Sequence, residues 1–176
     1  MISVTVLSDY LYCPRKVYLR YVLKFVPIVR KAMIVGKVKH DVFDAINKNE
    51  EDLILNIKPS ELENIESIYK QSYSNLLANS VSKFESDIKD SGLDKERLFS
   101  DSLKKFLDEA SYKAKTLKDF IQKTGLFGKD LLDAIPGKYK SELFLSSRKL
   151  RLKGIIDKVE VLGNVHVPVE LKTGSM

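Results

Sequence analysis

Apolar residues recur at helical spacing over most of the chain and change to short, strand-like runs near its end. Ser8 is a plausible N-cap for a segment with Leu11, Tyr12, Val17, Tyr18, Tyr21 and Val22 on its apolar side. Pro14 lies inside that segment, where a missing N–H predicts a kink or a local opening of the helix, and Pro27 ends it. A second helix is predicted over about residues 29–47, with Met33, Val38, Val42, Phe43 and Ile46 facing inward. Ser60 and Glu63 have capping-box spacing ahead of Leu62, Ile65, Tyr69, Tyr73, Leu77, Val81, Phe84 and Ile88, a long helix that should stop near Gly92. Asp94 opens another, lined by Leu98, Phe106, Ala110, Ala114, Leu117 and Ile121 and closed by Gly125.

After Pro136-Gly137 the period changes. Residues 142–145 and 149–162 are apolar and β-branched, Gly163-Asn164 has the form of a two-residue hairpin turn, and residues 165–172 make the returning arm. Helices followed by a three-stranded antiparallel meander predict an α+β domain spanning residues 1–176, with a helical insertion at about 59–135.

Charge divides the chain into blocks. Of its 176 residues, 30 are Lys or Arg and 24 are Asp or Glu, a formal net charge of +6. Between Tyr10 and His40 there are eight basic residues and no acid, residues 41–110 are acidic, and Lys140, Arg148, Lys149, Arg151 and Lys153 form a second basic stretch. Two positive blocks around an acidic middle would suit a phosphate backbone if they shared a face, although solvated helix faces are the commoner outcome. No apolar run reaches the roughly 18 residues of a membrane helix, and the N-terminus lacks the layout of a secretory signal. The single cysteine cannot make an internal disulfide, which points to an intracellular, cytoplasmic protein.

The hairpin holds the candidate chemistry. Asp157 lies six residues before Gly163 and Glu170 six after Asn164, so a tight turn sets them opposite one another. Opposed strand residues have Cβ atoms roughly 4.5–5.5 Å apart, close enough for two carboxylates to share a divalent cation. Lys172 has the parity of Glu170 and would hold an attacking water or balance phosphate charge. Gly154 leaves room for a nucleic-acid backbone, and Glu142 could orient the metal from the first strand. A Glu-x-Lys triplet also occurs by chance on solvent-facing hairpins. Tyr10, Tyr12, Tyr18 and Tyr21, beside Arg15, Lys16 and Arg20, could stack on bases, though such aromatics more often belong to a core.

The pattern Gly154-x-x-Asp157 … Glu170-x-Lys172 resembles the PD-(D/E)xK nuclease superfamily, and its RecB-like branch in particular. Gly36-Lys37-Val38-Lys39-His40 looks like that branch's metal-binding histidine helix. Residues 8–18, with Cys13-Pro14 at their centre, and residues 167–174 are similar to the CRISPR-associated RecB-like exonucleases, here called Cas-four-like. The resemblance implies a restriction-endonuclease-like core in which His40, Asp157 and Glu170 hold Mg²⁺ or Mn²⁺. Asp157, Glu170 and Lys172 would be the catalytic residues. It further implies that Arg15, Lys16, Arg20, Arg148, Lys149 and Arg151 track DNA, that the substrate is DNA ends or single strands, and that adaptation integrase proteins or a second copy are partners.

In that family Cys13 would be one of four ligands to a [4Fe-4S] cluster. Members continue past the Glu-x-Lys strand into a Gln-x-x-x-Tyr helix and three more cysteines, which the sequence to Met176 does not hold. The expectation is therefore a core incomplete at its C-terminus and no stable cluster with this sequence alone. The alternative reading is a catalytically inactive module that binds DNA or a partner.

Overall fold

The computed structural model describes residues 1–26, 30–136 and 138–169, with the side chains of residues 138 and 139 outside the description. A two-residue strand β1 (Ile2–Ser3) leads into α1 (Val4–Tyr12) and α2 (Pro14–Val17), followed by a π-helical turn (Tyr18–Val22). The helical part continues with α3 (Lys31–Asn56), a 3₁₀ turn (Pro59–Asn64), α4 (Ile65–Lys83), α5 (Glu85–Asp90), α6 (Lys95–Thr124) and α7 (Gly128–Ala134). The chain then runs through β2 (Lys138–Ser147), β3 (Leu152–Leu162) and β4 (Val165–Val169). This is the expected α+β order.

Apolar side chains at helical spacing form the core. Ile34, Val38, Val42 and Ile46 of α3 are buried with Ile65, Tyr69, Tyr73, Leu77 and Val81 of α4 and with Phe106, Ala110, Ala114, Leu117 and Ile121 of α6. Burial of a large apolar side chain is worth about 1.5–3 kcal/mol, so this bundle accounts for most of the driving force. Asp94 caps α6, accepting from the Arg97 N–H at 2.9 Å, and Gly125 ends it at φ +69°. Both boundaries are the expected ones.

Three helix boundaries differ from expectation. The N-cap of α1 is Ser3, whose Oγ accepts from the Thr5 N–H at 3.1 Å, while Ser8 lies inside the helix. At Pro14 the segment opens, one of the two outcomes expected there: Cys13 is extended (φ −161°), and a proline at the first helical position gives up an N–H that would be unpaired anyway. The second helix runs on to Asn56, because Ile54 extends its buried stripe beyond Asn47. The capping glutamate is Glu61, which accepts from the Lys58 N–H at 3.0 Å ahead of Pro59, in place of the Ser60/Glu63 pair.

The expected long helix to Gly92 is divided at Phe84. Phe84 donates its N–H to Ser80 O and accepts from the Ile88 N–H, so both of its own backbone groups stay paired at the break.

The meander forms as the sequence implies. β2 and β3 are antiparallel, and β3 pairs β4 through Leu162↔Val165, Val161↔His166 and onward to Lys158↔Val169, closed by Gly163 at φ +60°. An unexpected strand joins it, as β1 runs parallel to the start of β3 through Ile2↔Leu152 and Ser3↔Lys153. The Ile2 N–H also bonds to Arg151 O at 2.8 Å. The N-terminus is thereby tied to the β2–β3 turn, which carries Arg148, Lys149 and Arg151.

Candidate nuclease site and DNA-facing surface

His40 lies half-buried on α3 and Asp157 half-buried on β3. The hairpin register supports the expected pairing as far as it is described: the ladder reaches Lys158↔Val169, one step short of the Asp157–Glu170 position. Glu170 and Lys172 lie outside the described residues. Among the described residues no three His, Cys, Asp or Glu side chains lie close enough to hold a metal ion.

The helix bearing His40 is joined to the sheet one turn further on. Ser141 of β2 donates its hydroxyl to Asp44 Oδ1 at 2.5 Å, and the same hydroxyl lies 3.5 Å from the Asp157 carbonyl oxygen. Residues four apart share a helix face, so His40 and Asp44 lie on the side of α3 that meets β2. Lys48, a turn beyond, bonds Asp44 at 2.5 Å. Its ammonium is held above its usual value, first by that hydrogen bond and also by the charges of Asp44, Glu142 and Asp41, against the opposing effect of burial. Asp44 had no place in the sequence reading, although its i+4 spacing from His40 was there to be seen.

Beside this seam the backbone of β2 is irregular. The register carries Ser141↔Lys158 and Leu143↔Ile156, and between them Glu142 leaves the extended conformation at φ +50°. A non-glycine residue in that region costs of order 1–3 kcal/mol, and such strain concentrates at functional sites. Glu142 is exposed at that irregularity.

Gly154 does not have the role expected of it. A Cβ built there would sit 3.1 Å from Val4 Cγ2 and 3.4 Å from Val4 Cβ, so the close approach is made by α1 of the same chain. The glycine lets α1 pack on β3.

The N-terminal aromatics correct the core reading. Tyr10 is 54% exposed, Tyr12 85% and Tyr18 53%, and Tyr21 is also exposed. The Lys16 ammonium lies 5.9 Å from the Tyr12 ring centre and the Arg20 guanidinium 5.6 Å from that of Tyr21. These cations are not all free for DNA. Asp9, just before the acid-free block, bonds Lys16 at 2.5 Å and Arg20 at 3.3 Å. The hydrogen bond from Lys16 is the largest influence holding the Asp9 carboxyl below its usual range. Arg15 is exposed, as are Arg148, Lys149 and Arg151 in the β2–β3 turn.

Cys13 is half-buried at the joint of α1 and α2, its N–H bonded to Asp9 O at 2.9 Å and its carbonyl accepting from the Lys16 N–H at 3.0 Å. His166 is exposed on β4.

An α+β architecture, with a helix bearing an imidazole joined to a hairpin bearing acids, is compatible with a nuclease-like core. The family model described as DNA replication factor Dna2 matches residues 1–161, and the chain belongs to that family. No curated protein and no solved structure matches it. Membership supports a nuclease-related domain that interacts with DNA. No helix among the described residues is long and apolar enough to cross a membrane.

Proposed function

We propose that the chain is a metal-dependent DNA exonuclease domain of the RecB-like type, and that it trims DNA ends before their integration during CRISPR adaptation. The observation that carries the nuclease reading is the β3–β4 register, described as far as Lys158↔Val169, one step short of the expected Asp157–Glu170 position, in a sheet that α3 reaches through Asp44 and Ser141. Family membership supports the same reading. The CRISPR assignment rests on the motif resemblance of residues 8–18, 36–40 and 167–174.

An imidazole and two carboxylates suit Mn²⁺ and, with water, Mg²⁺, so the donor types of His40, Asp157 and Glu170 fit the ion. When bound, a divalent ion supplies charge stabilisation at the scissile phosphate and makes water acidic enough to attack it. The Lys172 ammonium would steady the nucleophile or offset charge in the transition state. Tyr12 and Tyr21 would stack on unpaired bases while Arg15 and the Arg148–Arg151 turn contact phosphates. The [4Fe-4S] cluster of relatives would take three thiolates in addition to Cys13, the single cysteine of this sequence.

The test is a cleavage assay on end-labelled single- and double-stranded DNA with Mn²⁺. Activity abolished by both Asp157→Ala and Lys172→Ala supports the enzyme. No cleavage by the unaltered chain, with DNA binding retained, supports a binding module instead.

One observation favours that second reading. Leu11, Tyr12, Phe144 and Ile155 are each at least 60% exposed, a spread of apolar surface suited to a protein partner such as an adaptation integrase or a second copy.

A further inference from the structure

A cleft of about 540 Å³ opens between α3 and α6, away from the hairpin. Lys31, Lys39, Arg97 and Lys105 line it with two acids, Asp94 and Asp101. Both acids are engaged: Asp94 caps α6, and Asp101 lies 3.7 Å from Arg97. Lys31, Lys39 and Lys105 make no ion pair with any described residue. Nearby lysines do, Lys37 with Asp87, Lys83 with Asp41 and Lys95 with Glu85.

We propose that this cleft is a second contact for the DNA backbone, holding phosphates through Lys31, Lys39, Arg97 and Lys105.

Three features favour a phosphodiester strand as occupant. Lys31, Lys39 and Lys105 converge on a concave surface whose two acids are engaged elsewhere, an arrangement that is repulsive until an anion arrives. The lining contains no aromatic ring, so it can hold charge but not stack bases. Lys39 also immediately precedes His40 on α3. A helix with its side chains is about 10–12 Å across, so a strand seated in the cleft is within one helix width of the candidate metal ligand.

The test is fluorescence anisotropy with a labelled oligothymidylate in EDTA, at 50–300 mM salt, so cleavage plays no part and failure of the nuclease reading leaves the result intact. Lys39→Gln/Lys105→Gln is compared with Lys104→Gln/Lys115→Gln, an equal charge change at exposed positions elsewhere on α6. The cleft variant should bind about tenfold more weakly at low salt, with a salt slope smaller by about 1.4, roughly 0.7 for each lost phosphate contact on a single strand. The control should change far less. Arg97→Gln, at a side chain 82% exposed, is a second variant safe for folding and should lower the slope by about 0.7. Equal losses in both double variants, or none in the cleft variant, would overturn the proposal. Displacement of the oligonucleotide from the unaltered chain by millimolar orthophosphate at constant ionic strength would also overturn it, marking a small-anion site.

Discussion

Ser141 on the first meander strand and Asp44 on the long third helix are joined by a 2.5 Å hydrogen bond between residues 97 positions apart in the chain. That contact sets the helix bearing His40 against the strands bearing Glu142 and Asp157. A hydrogen bond to a charged group contributes about 1.5–3 kcal/mol. Ser141→Ala should therefore lower unfolding stability by about that amount in urea titration. An unchanged midpoint would show that the seam holds without it.

Gly154 and Val4 make a second checkable pair. Overpacking a tight contact costs typically about 1–3 kcal/mol. Gly154→Ala should destabilise the chain within that range, and adding Val4→Ala should restore most of the loss in thermal unfolding. If Gly154 instead faces DNA, the substitution will weaken binding without moving the melting temperature.

Asp41 accepts from Ser80 at 2.6 Å and pairs with Lys83. Burial pushes its carboxyl up, but the bonds from Lys83 and Ser80 and the charges of Lys83 and Lys48 outweigh it and leave the group below 3.8. With the folded value depressed, its stabilisation is complete above pH 3.8 and disappears as pH falls through the lower folded value. Asp41→Asn should reduce stability at pH 6 and flatten its decline in acid. A parallel decline in both proteins would remove Asp41 from the account.

Tyr12 is the most exposed ring of the N-terminal segment. Losing one stacked base is worth about 1–3 kcal/mol. Tyr12→Ala should weaken single-strand binding at least about fivefold, within that range, and leave duplex binding largely unaffected. Equal effects on both substrates would argue against stacking.

His40→Ala should raise the Mn²⁺ concentration needed for half-maximal cleavage by about tenfold or more, with the fold intact by circular dichroism. An unchanged metal requirement would take the imidazole out of the site.

Much of this was legible from the order of residues. Hydrophobic spacing identified the long helices α3, α4 and α6, Asp94 and Gly125 bounded α6, and Gly163-Asn164 set a register that the structure reproduces pair by pair to Lys158↔Val169. These are local signals, read from residues a few positions apart, and the α+β class and the candidate hairpin follow from them. Distance through the chain hid the rest. No spacing rule connects Asp44 to Ser141, Val4 to Gly154 or Ile2 to Leu152, because each pair meets only when the helices dock on the sheet. Exposure was hidden for the same reason: a tyrosine at helical spacing becomes core only if another element covers it, and nothing among the described residues buries Tyr10, Tyr12 or Tyr18. The sequence by itself determined the elements and the chemical groups they carry, whereas packing decided which groups meet, which cations are already paired, and which surfaces stay open to DNA.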